Sequence, residues 1–245
     1  MKNYLISIQY DGGRYKGWQR LGGDGNTIQS KIEAVLSKLL DEKIEIIGCS
    51  RTDAGVHAYD QVANFKANTK MTVNELKDSM NRYLPTDISI REVRIVDDTF
   101  HARFAAKNKT YVYKIWNGDC PNPFVRKYSL YIDSRLDLRQ MSKASKSFLG
   151  EHDFTAFTNA KSKTKSMVRQ IESIDIEKHG DMITIRITGN GFLHNMVRKI
   201  VGVLIETGLG TLKGDEIPAI LNSKERSKSG MLADACGLYL EKIIY

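Results

Sequence analysis

The residues of this chain best suited to chemistry are gathered in one stretch, Gly48-Cys49-Ser50-Arg51-Thr52-Asp53-Ala54-Gly55-Val56-His57-Ala58. Its core, Ser50 to Gly55, is too rich in small and polar residues to continue a strand. It lies between the apolar run Ile44 to Ile47 and the alternating run Gln61 to Lys66. A loop set between two strand-like runs presents its Arg, Asp and His from a rigid frame, which is where function concentrates. An aspartate there can act as general acid, general base or nucleophile, and as nucleophile it can attack a sugar C1′ and carry the glycosyl group covalently. By spacing alone, a loop ion pair between Arg51 and Asp53 accounts for the two residues more simply. Asp53, His57 and Asp60 fall on no metal-ligand spacing, so His57 reads as a wall residue and no metal is expected. Ser50, His57 and Asp53 lack the GxSxG elbow of a Ser-His-Asp hydrolase. Neither GxxxxGK[ST] nor GxGxxG after a strand occurs, so no nucleotide cofactor is expected.

Three further stretches mix cations with groups that suit nucleic acid. Lys107, Lys109, Tyr111, Tyr113 and Lys114 interleave charge and aromatic rings along one strand, as a surface that stacks a base beside phosphates would. Lys161, Lys163, Lys165 and Arg169, spread through Ser and Thr, read as a phosphate-facing loop. The segment Arg14 to Gly25 carries Tyr15, Lys16, Trp18, Gln19 and Arg20. It suits bases and phosphates, but Trp18 equally suits packing the loop onto the body. Arg198 lies near the start of a helix whose Phe192, Met196, Ile200, Val203 and Leu204 make one apolar face. It can serve as a surface cation or orient a carboxylate such as Asp53.

The elements that must position these groups follow from periodicity. Alternation predicts strands over Lys2 to Tyr10, Gln61 to Lys66, Ile88 to Val96, Lys109 to Trp116, Gln170 to Glu177 and Met182 to Thr188. Shorter ones are predicted at Ile44 to Gly48, Tyr128 to Ile132 and Gly237 to Ile244. Helical spacing predicts a helix capped by Asn26 with Gln29 and running to Leu40, and one capped by Thr72 and stopped at Leu84-Pro85. It also predicts helices over Leu138 to Leu149, Phe192 to Glu206 and near Gly214 to Leu221. His179-Gly180-Asp181 joins its two strands as a hairpin, so the sheet is expected to be mainly antiparallel and the fold α+β. The Pro121 and Pro123 connection marks a change of half, giving residues 1–116 and 117–245.

The 245 residues are 41% hydrophobic and 27% charged, as in folded globular chains. The formal net charge of +8 favours polyanionic partners. Three cysteines without a CxxC pair fit neither a disulfide framework nor a zinc site. With no signal-peptide pattern and no apolar run near the ~20 residues of a membrane span, a cytoplasmic protein away from the membrane is expected.

Several blocks occur in a recognisable order: Tyr10-Asp11-Gly12, Gly17-Trp18-Gln19, Thr27-Ile28-Gln29, Arg51 to Ala58, Phe100-His101-Ala102-Arg103-Phe104, Tyr111-Val112-Tyr113, His152-Asp153-Phe154, Phe192-Leu193-His194, Met196-Val197-Arg198, Val201-Gly202 and Gly237-Leu238-Tyr239-Leu240. Together they resemble the TruA family of tRNA pseudouridine synthases across nearly the whole chain. The resemblance implies two similar α/β halves joined into one extended antiparallel sheet with a central cleft. It also implies a homodimer that acts without cofactor or metal, isomerising uridine to pseudouridine in the tRNA anticodon stem-loop at positions 38–40. Carried over to this sequence, Asp53 is the catalytic aspartate and Tyr111 the ring that stacks on the target base. Arg51 is an RNA-contacting or flipping residue, Arg198 is the partner of Asp53, and Leu238 and Leu240 wall the pocket, while Lys109, Lys161, Lys163 and Arg169 are expected to meet RNA from the charge of their own stretches. The chain departs from the family pattern at Ser50, at Arg20 to Asn26 and at Ala233 to Cys236, which bears on the RNA target. A paralogue acting on another uridine or RNA, a non-catalytic RNA-binding protein and an Asp-based hydrolase are the readings beside it.

Overall fold

The computed structural model describes residues 1–23, 25–159 and 166–245. The chain forms two compact units, residues 1–107 with 239–245, and residues 108–238.

In the first unit, β1 (Lys2–Tyr10), β2 (Ile47–Gly48), β3 (His57–Ala67) and β4 (Ile88–Val96) alternate with α1 (Ile28–Leu40) and α2 (Val73–Tyr83), and the last strand, β10 (Leu238–Ile244), returns to it. The strand order is β4-β1-β3-β10, with β2 on β3. β1 runs antiparallel to both neighbours, Lys2 opposite Ala67 and Asn3 opposite Val96, whereas β10 lies parallel to β3 with Tyr239 opposite His57. Ile28, Ile32 and Leu36 on α1 and Leu76 and Met80 on α2 are fully buried, as the helical spacing requires. A capping box of Thr72 and Glu75 starts α2. The cap of α1 is Thr27, not Asn26. Thr27 Oγ1 accepts from Ser30 N, while the Asn26 amide donates to Arg14 O.

The expected strand from Ile44 shrinks to Ile47–Gly48 for a specific reason. Ile44 N donates to Ser37 Oγ (2.9 Å) and Ile46 N to Glu33 Oε1 (3.0 Å), so side chains of α1 take the donors that a strand would offer. Behind the sheet, Asn64 and Asn3 bond each other (3.0 Å). Their remaining polar atoms hold Asp97 O, Phe100 O and Ala102 N, which fixes the Phe100 to Phe104 segment.

In the second unit, β5 (Asn108–Trp116), β6 (Leu130–Tyr131), β7 (Gly150–Asp153), β8 (Val168–His179) and β9 (Met182–Gly189) are joined by α3 (Leu138–Ser145), α4 (Met196–Leu209) and α5 (Ile217–Ser223). The order β5-β9-β8-β7 is antiparallel throughout, with β6 parallel to β5. The β8–β9 hairpin turns at Gly180, whose φ of +57° suits glycine. α3 stops at Ser145, followed by a short 3₁₀ turn and then by Gly150 at φ +89°. α4 begins at Met196 rather than Phe192, because Asn195 adopts the left-handed conformation (φ +62°). Both units are thus α+β with mainly antiparallel sheets.

Asp153, at the end of β7, ties this strand to α5. Its Oδ1 accepts from Thr155 N and Oγ1 (3.0 and 2.6 Å), and its Oδ2 pairs with Lys224 Nζ at 2.8 Å. Burial pushes this carboxyl up, but the Lys224 and Thr155 bonds and the lysine charge outweigh it and hold the group below its usual range. A carboxyl depressed in the fold stabilises above its unfolded pKa of about 4 and loses that contribution as pH falls through the folded value. As pH falls from about 5 to 3 the wild type is therefore expected to lose more urea stability than Asp153→Asn. Parallel acid limbs for the two proteins would contradict this.

Candidate active-site loop and its surroundings

Between β2 and β3 the chain leaves the sheet for the Cys49 to Val56 loop, and its backbone is secured at each step. Cys49 N donates to Val62 O (2.8 Å). The buried Gln61 amide bonds both sides of Ser50, accepting from Ser50 N at 3.2 Å and donating to Ser50 O at 2.7 Å. Thr52 Oγ1 and the Tyr10 hydroxyl are 2.7 Å apart, and Thr52 O accepts from Trp18 N (3.0 Å). Burial drives the Tyr10 phenol far above its ordinary pKa, against the lowering effect of its bonds to Thr52 and Gln61, so it stays protonated. Val56 N closes the turn onto Asp53 O (3.2 Å), with Gly55 at φ +80°.

Two glycines make this closeness possible. A Cβ on Gly12 would sit 1.9 Å from Val56 O, and one on Gly17, itself at φ +94°, would sit 2.7 Å from Thr52 O. These are the physical needs behind Tyr10-Asp11-Gly12 and Gly17-Trp18-Gln19. Each internal hydrogen bond contributes about 0.5–1.5 kcal/mol net, and their number makes the loop rigid rather than any one of them.

Asp53 is half-buried on this loop. Arg51 is exposed and turns to the 17–20 segment, its Nε donating to Gln19 Oε1 at 3.0 Å. Arg103 lies near enough for the two positive charges to interact. Desolvation first, then Arg51, lowers the pKa of Arg103. His57 is buried. Its Nδ1 lies 3.1 Å from Gly12 N and 3.0 Å from Asp11 Oδ1, and its ring stacks on Tyr239 at 4.7 Å. Tyr239 in turn stacks on Tyr59 at 4.8 Å. Trp18 is buried, against Tyr10 and the bare face of Gly48, so it packs the loop and is no platform for bases. Leu240 is buried on β10 in register with Ala58.

The second unit carries the other expected residues. Tyr111 on β5 is buried and meets Phe192 edge-on at 5.2 Å. Tyr113, two residues on, is fully buried, and its hydroxyl donates to Asp234 O (2.8 Å). Tyr113 is therefore core and not an open RNA-facing surface. Arg198, in the first turn of α4, is clamped to Ala233: Nε donates to Ala233 O (2.7 Å), and Ala233 N donates back to Arg198 O. Its Nη1 donates to Asn195 Oδ1 (3.2 Å). Lys109, at the start of β5, is half-buried opposite Gly189. Arg169, on β8, donates to Ser166 O, and desolvation lowers its pKa. Leu238 is buried at the start of β10. Lys161, Lys163 and Lys165 lie outside the described residues.

Among the described residues, no group of three or more His, Cys, Asp or Glu is placed to hold a metal ion, and no helix is long and apolar enough to cross a membrane. The residues that sequence reasoning missed are Thr52 and Gln61, which brace the loop, and Gln29 and Glu33, which hold the Gln19 to Arg20 segment and Ile46. Gln61 and Glu33 are polar positions inside otherwise apolar patterns, which is the signal that was available.

A locked loop offering a carboxylate beside an arginine is what the comparisons with known proteins bear on. A family model described as tRNA pseudouridine synthase matches residues 6–105 and 144–245. "tRNA pseudouridine synthase A" of Bacillus sp. (strain KSM-64) is 60% identical over 245 residues, covering all of both chains. "tRNA pseudouridine synthase A 2" of Bacillus cereus (strain ZK / E33L) is 56% identical over 243 residues, 99% of each chain. "tRNA pseudouridine synthase A" of Acetivibrio thermocellus is 43% identical over the full length of both. With the model spanning most of the sequence and identity sustained from end to end, this chain belongs to the tRNA pseudouridine synthase family.

Proposed function

We propose that this chain isomerises uridine to pseudouridine in tRNA, at positions 38–40 of the anticodon stem-loop, with Asp53 as the catalytic carboxylate. The observation that carries the reading is the Asp53 loop, locked by Gln61, Tyr10 and the bare backbones of Gly12 and Gly17 within a chain of this family. Rigid placement of the reacting group is what a unimolecular rearrangement requires.

The target base leaves the stack, at a cost of a few kcal/mol, and is received on Tyr111. Asp53 then attacks C1′ and the C1′–N1 bond breaks, or it takes the 2′-proton and a glycal forms. The freed uracil rotates and C5 bonds to C1′, as the Asp53–C1′ ester bond breaks in the first route or as C2′ of the glycal takes its proton back in the second; the C5 proton is then lost and N1 is protonated. No atom is gained or lost overall, and the resemblance to the family implies that the reaction runs without cofactor or metal. Arg198 serves as the charge partner of Asp53, and Leu238 and Leu240 wall the base. Arg51, Lys109, Lys161, Lys163 and Arg169 meet RNA phosphates, in keeping with the net charge of +8. The enzyme works as a cytoplasmic homodimer; sedimentation showing only monomer at working concentration would remove the dimer.

Incubation with tRNA tritiated at uridine C5 is expected to release tritium, and the product to map to positions 38–40. Product elsewhere would reassign the target, free uracil would indicate a hydrolase, and the absence of release would overturn the reading.

A further inference from the structure

We infer that Gln19 is a positioning residue for Arg51, and that a buried chain of side chains ending on Glu33 sets the direction in which Gln19 faces. The inference rests on the functional reading above only in taking Arg51 to meet RNA.

The chain starts from a group whose polarity is fixed. The Glu33 carboxylate, buried on α1, accepts only. Its Oε1 takes Ile46 N (3.0 Å) and Gln29 Nε2 (2.9 Å), and its Oε2 takes Arg20 Nη1 (3.0 Å). Gln29 must therefore turn its NH₂ towards Glu33, where it also reaches Ile46 O at 3.2 Å, and its carbonyl the other way. That carbonyl accepts from Arg20 N (2.9 Å) and from Gln19 Nε2 (2.8 Å). Gln19 in consequence shows its own carbonyl to Arg51, whose Nε donates to it at 3.0 Å.

Each amide has one sense left open to it, so the accept-only carboxylate at one end decides the group offered at the other. A reversed Gln19 would aim NH₂ at a guanidinium and repel it. With Nε engaged, the planar guanidinium of the exposed Arg51 is held at one edge, and Nη1 and Nη2 are the donors turned to a phosphate or a base. A long side chain held in this way loses less rotamer freedom when RNA binds. The chain also explains why Gln29, a polar residue on the buried face of α1, is kept from solvent.

Gln19→Leu removes the acceptor at Arg51, and Gln29→Met breaks the chain one step further back at nearly constant volume. The Arg51 Nε–H signal in ¹H–¹⁵N spectra, assigned by its loss in Arg51→Lys, is expected to be rigid in the wild type and mobile in both variants. Single-turnover pseudouridine formation is expected to fall about tenfold in each. Added to Arg51→Ala, either substitution is expected to change the rate by less than about twofold. A rigid Nε–H in Gln29→Met, or the same tenfold fall in the Arg51→Ala background, would overturn the inference and make these residues merely structural. A wild type that forms no pseudouridine would overturn the function, while the Nε–H signal would still decide the positioning.

Discussion

Asp53→Asn is expected to slow pseudouridine formation by at least about 10⁴-fold, the scale on which loss of a reacting group is felt. Affinity for tRNA is expected to change by less than about threefold, because phosphate contacts carry most of it. Asn has the size of Asp, and the loop is held by backbone contacts that the substitution leaves alone: Val56 N on Asp53 O, Trp18 N on Thr52 O, and the Gln61 amide on Ser50. An amide is a poor nucleophile and a poor base, so both routes drawn for Asp53 fail together. Asp53→Ala should behave alike. Tritium release and filter binding on the same preparations check this, and wild-type-like product from either variant would remove Asp53 from the chemistry. Loss of binding in parallel with activity would point to a loop that the carboxylate holds rather than one that presents it.

Gly12→Ala carries the second large effect, through backbone alone. The added methyl would lie 1.9 Å from Val56 O and 2.6 Å from Val56 C, and neither can swing away as a side-chain tip can. Either the Asp11 to Gly13 turn or the Asp53 to Val56 turn must shift, and Gly12 N would leave His57 Nδ1. Overpacking of this kind costs about 1–3 kcal/mol, and a shift of about 1 Å at the carboxylate costs about 10²-fold in rate. Gly22→Ala, where a Cβ would meet nothing within 4 Å, serves as the control and is expected to match the wild type in urea stability and rate. Gly12→Ala with unchanged rate would mean that the loop does not depend on this contact.

Much of the fold is legible in the residues because local rules decide it. The alternation of Lys2 to Tyr10 and Ile88 to Val96, the Thr72 capping box and the β8–β9 hairpin each follow from neighbours within a few positions. Reading fails where a distant side chain competes for backbone groups. Ser37 and Glu33 unmake the strand before Ile47, and the left-handed Asn195 delays α4. It fails again where the same letters fit two environments. The rings of Trp18 and Tyr113 suited stacking on bases, but Trp18 is buried in the loop's own packing and Tyr113 is committed to Asp234 O.

By itself the sequence determined the loop, its aspartate and the family, since these rest on residue types in fixed order and on motifs that survive in linear form. Only tertiary structure decided how the loop is held. Gly12 reaches Val56, Gln61 reaches Ser50 and Glu33 governs Gln19 across separations that no local pattern encodes. The physical reason is that a buried polar group must find its partner wherever the chain happens to bring one, and which partner that is depends on the whole packing rather than on the next few residues.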